Sequence, residues 1–160
     1  MKEIKITTTF EVFDSVTSLP SEIQSLMNQA IEIRKNAYAP YSRFRVGAAI
    51  LLDNGKIVLG SNQENAAYPS GLCAERVAVF QAGAVYPSAK IVKFAISAAS
   101  DTNPTLSPIP PCGACRQSIA EYEFKQETPI EIYFMGASGE VYKSNSINNL
   151  LPLTFDKTSL

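Results

Sequence analysis

Histidine is absent from this chain of 160 residues, and cysteine occurs only three times, at Cys73, Cys112 and Cys115. A metal ion held by these thiols has no fourth Cys or His to close its shell, and a second copy of the chain has no spare ligand to lend. Structural zinc sites are normally closed by four such ligands, whereas catalytic sites keep one position open for water. Positive charge is not in excess either. There are 14 Lys+Arg against 15 Asp+Glu, a net charge of −1, and no basic cluster. That argues against a phosphate-backbone footprint and for a small substrate rather than a nucleic-acid partner. No apolar run is long enough to span a bilayer. The opening MKEIKITTTF lacks the apolar core of a secretory signal. An odd number of cysteines without a disulfide framework suits a reducing compartment. The expectation is a cytoplasmic protein with no membrane partner.

The composition is ordinary for a globular protein, with 46% hydrophobic and 18% charged residues, and repeats and low-complexity stretches are lacking. The length suits one domain with a real core. Ile4, Ile6, Thr8, Phe10 and Val12 alternate with polar neighbours and predict an N-terminal strand. Ser18-Leu19-Pro20-Ser21 reads as a helix start, and Ile23, Leu26, Met27, Ala30 and Ile31 form one helical stripe ending near Asn36. Strands are predicted at 44–52 and 56–62, joined by the turn Asp53-Asn54-Gly55. A helix over 72–82 is expected to stop at Gly83. Further predictions are a buried strand at 92–99, a helix at 112–123, a buried strand at 130–135 and a short strand at 141–143. This alternation predicts an α/β layered domain, and its mixture of hairpin and crossover links predicts a mixed sheet.

The cysteines carry the chemistry. By themselves, Cys112-Gly113-Ala114-Cys115 could be a redox dithiol or half of a structural zinc knuckle, and Cys73 could be a buried thiol. Both elements fall at predicted helix starts, where the positive helix end stabilises thiolates. Cys112 and Cys115, three apart on a helix, project together. Glu75 lies two residues from Cys73 in Cys73-Ala74-Glu75-Arg76. A ligand-x-Glu element followed by Pro-Cys-x-x-Cys, with a glutamate that is not a ligand, describes the zinc nucleobase deaminases, which include a three-cysteine variant. Cys73-Ala74-Glu75 and Pro111-Cys112-Gly113-Ala114-Cys115 fit that layout.

The wider sequence resembles the small, all-cysteine cytidine deaminases of the cytidine and deoxycytidylate deaminase family. The likeness runs from about Ala37 to Phe155. It includes Ala37-Tyr38-Ala39-Pro40-Tyr41-Ser42-Arg43-Phe44-Arg45-Val46-Gly47-Ala48-Ala49 and Gly60-Ser61-Asn62-Gln63-Glu64-Asn65-Ala66-Ala67-Tyr68-Pro69. It extends through Pro111-Cys112-Gly113-Ala114-Cys115-Arg116-Gln117 to Leu150-Leu151-Pro152-Leu153-Thr154-Phe155. The resemblance implies a three-layer α/β/α fold with a mixed five-stranded central sheet, here with an extra N-terminal strand. Residues 1–17 would be the extension and residues 18–160 the deaminase domain.

The same resemblance implies a hydrolase of pyrimidine salvage that converts cytidine and deoxycytidine to uridine and deoxyuridine. It implies one Zn²⁺ per chain, held by Cys73, Cys112 and Cys115, with Glu75 as the proton shuttle. Asn62 and Glu64 would hold the ribose hydroxyls and Phe44 would stack on the base. Asn65, Ala66, Tyr68 and Ala74 would line the substrate site. Arg76 would donate to the thiolates and offset their excess negative charge. The family's short form is homotetrameric with shared active sites, and Phe155 would reach a neighbouring subunit's pocket. Read without the resemblance, Phe44 fits a core position, Arg76 a surface cation, Asn62 and Glu64 a solvated turn, and Phe155 a local tail anchor. Two rival functions are a blasticidin-type aminohydrolase on the same scaffold and a non-enzymatic zinc module.

Overall fold

Alternation along single strands sets the layering. Phe94 and Ile96 belong to one buried cluster while Ala95, between them, belongs to another, and Ile132 and Phe134 are separated from Tyr133 and Met135 in the same way. Successive side chains of a strand face opposite sides of its sheet, so these strands need cover on both faces. The computed structural model describes residues 1–160 and supplies that cover. Its elements are β1 (Glu11–Phe13), α1 (Ser21–Arg34), β2 (Phe44–Leu52), β3 (Ile57–Ser61), α2 (Ala74–Val85), β4 (Ile91–Ser100), α3 (Gly113–Gln126), β5 (Glu131–Met135) and β6 (Val141–Ser144). Helix α1 packs Ile23, Leu26, Met27 and Ala30 on one face of the sheet. Helices α2 and α3 pack Ala74, Ala78, Val79, Ala82, Ile119 and Ala120 on the other. The result is the expected α/β/α sandwich. None of its helices is long and apolar enough to cross a membrane.

The sheet has six strands in the order β1-β6-β5-β4-β2-β3. It is mixed as predicted: β4 and β5 run parallel, and every other neighbouring pair is antiparallel. The β2–β3 hairpin turns at Asp53-Asn54-Gly55, where the Leu52 N–H donates to the Lys56 carbonyl at 2.9 Å. The strand count differs from five because β1 joins the central sheet as its sixth strand, on the outer edge of β6.

Three elements differ from the sequence reading by three residues or more at one end. The N-terminal strand is confined to Glu11–Phe13, and Ile4 (83% exposed) and Ile6 lie outside any ladder. Its partner β6 has only four residues and pairs with three of β1, so alternation further upstream finds no edge to join. Helix α2 runs past Gly83 to Val85. Gly83 is a packing residue, because a Cβ there would stand 2.3 Å from the Tyr122 hydroxyl on α3. Helix α3 continues to Gln126, whose side chain accepts from the Ile91 N–H and donates to the Ile91 carbonyl.

One close approach sets up the site. A Cβ on Gly60 of β3 would lie 2.4 Å from the Ala74 carbonyl oxygen and 2.7 Å from the Ala78 amide nitrogen. Only glycine lets the first turn of α2 rest directly on the strand. That contact places the residues around Cys73 over the end of the sheet.

Candidate active site

Cys73 is the residue that caps α2, and Cys112 caps α3. Both are extended in backbone, and neither uses its side chain as a capping acceptor. The sulfurs are left to face one another. Cys115 enters from the first turn of α3 and is fully buried. The Cys73 and Cys112 sulfurs are 3.8 Å apart, the Cys112 and Cys115 sulfurs 3.4 Å, and all three lie within 4.8 Å of one another. Tetrahedral thiolates at about 2.3 Å from zinc would sit about 3.8 Å apart, so donor type and spacing both fit a zinc ion.

The electrostatics favour anionic sulfur. Hydrogen bonding with Cys115 pulls the Cys73 thiol down to about 5, helped by Arg76 and opposed by burial. Cys115 moves upward for the matching reason, as the partner that keeps the proton in this pair, and burial adds to the rise. Arg76 brings Nη2 to 4.0 Å from the Cys73 sulfur, and its buried Nε has no protein acceptor. Its guanidinium is thus turned toward the sulfur cluster, as a counter-charge to thiolates requires.

Glu75, one residue into α2, is 4% exposed. Burial pushes its carboxyl up to about 7, the negative Cys73 adds to the rise, and its own backbone N–H opposes it. A carboxyl poised near neutrality beside a metal-binding cluster can both accept and return a proton at physiological pH.

A cleft of about 490 Å³ opens in front of Cys73 and Arg76. Among the residues singled out in the sequence, Asn62, Glu64, Asn65, Tyr68, Cys73 and Arg76 line it. Asn62 is buried; it accepts from the Val46 N–H at 2.7 Å and donates to the Phe44 carbonyl at 2.9 Å, locking the end of β3 to the start of β2. The Glu64 carboxylate accepts from the Tyr41 N–H at 2.9 Å, the Ser42 N–H at 3.3 Å and the Ser42 hydroxyl. These bonds, that of the hydroxyl foremost, hold it below the usual carboxylate range. Asn65 Oδ1 caps the loop by accepting from the Ala67 N–H at 2.8 Å.

Besides Cys112, Cys115 and Glu75, four singled-out residues lie outside the lining. Phe44 is half-buried at the start of β2, Ala66 is exposed in the loop, and Ala74 is buried under the start of α2. Phe155 is 60% exposed, and its carbonyl accepts from Gln117 Nε2 at 2.8 Å. Next to Gln117, Arg116 donates to the Pro111 carbonyl at 2.7 Å and to the Leu150 carbonyl at 2.8 Å. The C-terminal tail is thereby fastened to the first turn of α3.

Tyr41 and Ser42, to which the sequence assigns no role, also line the cleft. The Tyr41 and Tyr68 rings meet edge-on with centroids 6.1 Å apart. Their signal in the sequence was position alone, just ahead of Phe44.

The family model for the cytidine and deoxycytidylate deaminase zinc-binding region matches residues 20–128. The chain belongs to this deaminase family. It is 40% identical over 132 residues to the cytidine deaminase of Halalkalibacterium halodurans, a match covering 82% of this chain and 92% of the relative. It is 37% identical over 139 residues to the cytidine deaminase of Sporosarcina psychrophila, covering 87% and 95%. The crystal structure of cytidine deaminase from Burkholderia pseudomallei superposes with a TM-score of 0.71 at 35% identity, over 86% of this chain and 100% of that one. The family region is a zinc-binding one, and in this deaminase the Cys73–Cys112–Cys115 cluster has the donors and spacing for one ion.

Proposed function

We propose that this chain hydrolyses cytidine and 2′-deoxycytidine to uridine and 2′-deoxyuridine with release of ammonia. The observation that carries the reading is the buried Glu75 carboxyl, pushed up to about 7, beside three converging thiols at the head of a cleft. Zinc bound by Cys73, Cys112 and Cys115 supplies a Lewis acid that lowers the pKa of water from 15.7 to about 7. Glu75 would carry one of the water's two protons to the ring nitrogen beside the attacked carbon, and the second, taken from the hydroxyl that carbon has gained, to the departing amine as the carbonyl forms. One carboxylate serves every transfer because each needs only hydrogen-bond reach and a pKa near the working pH. Arg76 holds Cys73 as thiolate.

In this reading Glu64 and Asn62 pair with the sugar hydroxyls, Phe44 stacks on the pyrimidine, and Asn65, Ala66, Tyr68 and Ala74 shape the wall. A site built to pair hydroxyls rejects a ligand lacking them, because its own polar groups are then left unmatched. Arg76 is the sole Lys or Arg lining the cleft, and it is turned to Cys73. Glu64 adds negative charge. This supports nucleosides over nucleotides as substrates, since a phosphate would meet a carboxylate and no free cation. Incubation with cytidine or deoxycytidine should therefore reduce the ultraviolet absorbance of the cytosine ring, whereas the 5′-monophosphates should react at least roughly 100-fold more slowly per unit kcat/KM. Monophosphates turned over at the nucleoside rate, or inert cytidine, would sink the assignment.

The reading also includes a cytoplasmic homotetramer in which Phe155, largely exposed on its own chain, completes a neighbour's site. Residues 18–160 form the deaminase domain, and residues 1–17 are an extension that adds an edge strand. Light scattering is expected to give four chains per particle. A monomer with full activity would exclude the shared site.

A further inference from the structure

The Ser42 hydroxyl is bonded on both sides. It donates to Glu64 Oε1 and accepts from the Phe44 N–H at 3.0 Å. Between these residues Arg43 adopts a positive φ of 53°, a left-handed conformation that costs energy for a residue with a Cβ. Backbone bonds brace that turn: the Arg43 N–H donates to the Ala39 carbonyl at 3.1 Å, and the Arg43 carbonyl accepts from the Asp101 N–H at 2.8 Å. The turn brings the Ser42 hydroxyl back over the start of β2 while Ser42 itself lines the cleft.

We infer that Ser42 is a positioning residue that sets the distance between the sugar-binding carboxylate and the base-stacking ring. The inference rests on the roles given above to Glu64 and Phe44. One hydroxyl fixes both: it aims a carboxylate oxygen into the cleft and anchors the backbone from which the Phe44 ring projects. Without it, Glu64 keeps two backbone donors but loses the donor that orients Oε1, and the Phe44 N–H loses its acceptor. The defect should therefore appear in recognition of sugar hydroxyls and not in proton transfer at Glu75.

The test compares wild type, Ser42→Ala and Ser42→Thr on two readouts: cytidine kinetics, and dissociation constants for uridine and 2′,3′-dideoxyuridine by calorimetry. Ser42→Ala should raise the KM for cytidine roughly tenfold, the loss of one hydrogen bond to a charged group, with kcat within about threefold of wild type. It should weaken uridine by a similar factor, weaken dideoxyuridine clearly less, because that ligand feels only the loosened Phe44, and retain its zinc. Ser42→Thr, which keeps the hydroxyl, should restore uridine binding. Equal weakening of both ligands, or no weakening of either, overturns the inference. A wild-type protein that binds uridine but fails to turn over cytidine overturns the proposed reaction while the ratio of the two dissociation constants still decides the role of Ser42. A wild type that binds neither ligand overturns both.

Discussion

Glu75→Gln is expected to lower kcat for cytidine by roughly 10²–10⁴-fold, the range associated with a positioned acid–base group, while zinc stays at one ion per chain. Glutamine has the shape of glutamate but cannot carry a proton between water, ring and leaving amine. The side chain is 4% exposed on the first turn of α2, so an isosteric replacement avoids both a cavity and a clash. Neutralising a carboxyl that burial already pushes toward its protonated form removes an electrostatic cost, so the thermal midpoint should not fall. Metal content by atomic absorption, melting by circular dichroism and turnover by absorbance separate the possibilities. Loss of zinc along with activity would make Glu75 a ligand, and near-normal turnover would remove it from the mechanism.

Cys73→Ala, Cys112→Ala and Cys115→Ala should each reduce zinc to a small fraction of an ion per chain and bring activity to background. With no histidine and no fourth cysteine in the chain, two thiols are all that remain after any one substitution. The ligands come from the starts of two helices whose capping cysteines are 39 residues apart in sequence. The metal-free variants should therefore also melt at lower temperature, because binding free energy that acts only on the folded state is lost. A redox dithiol gives a different result: Cys73→Ala would keep its function, and Cys112 and Cys115 would interconvert reversibly between thiols and disulfide. Zinc content and free-thiol counts under oxidising and reducing conditions distinguish the two.

The parts of the fold set by short-range chemistry were readable from the residues. The Ile23 to Ala30 stripe, the Asp53-Asn54-Gly55 turn and the buried runs of β4 and β5 each carry their own periodicity or turn signal. The metal cluster was readable too, because residue type and spacing are the signal. What stayed hidden depends on partners distant in the chain. Gly83 reads as a helix stop until the Tyr122 ring is seen against it. The 4–12 alternation reads as a long strand until its partner proves to have four residues. Glu123 reads as an ordinary helical carboxylate, yet it is buried and accepts from the Ile130 N–H at 2.8 Å, the Ile147 N–H at 3.1 Å and the Ser146 hydroxyl at 2.5 Å. Ser42 likewise has no periodicity to announce it, since its role lies in reaching a carboxylate 22 positions away.

The fastening of the tail bears on how the protein should be handled. Arg116 and Gln117, the two residues after Cys115, donate to the carbonyls of Leu150 and Phe155. An affinity tag or fluorescent fusion appended after Leu160 pulls on a segment that is hydrogen-bonded to the same helical turn as a sulfur of the cluster. The opposite terminus offers a freer attachment point, because residues 1–9 are exposed and belong to no helix or strand, and the chain first packs on the fold at Phe10, whose ring meets those of Phe134 and Tyr142. Purification handles, surface tethers and fusion partners therefore belong before Met1.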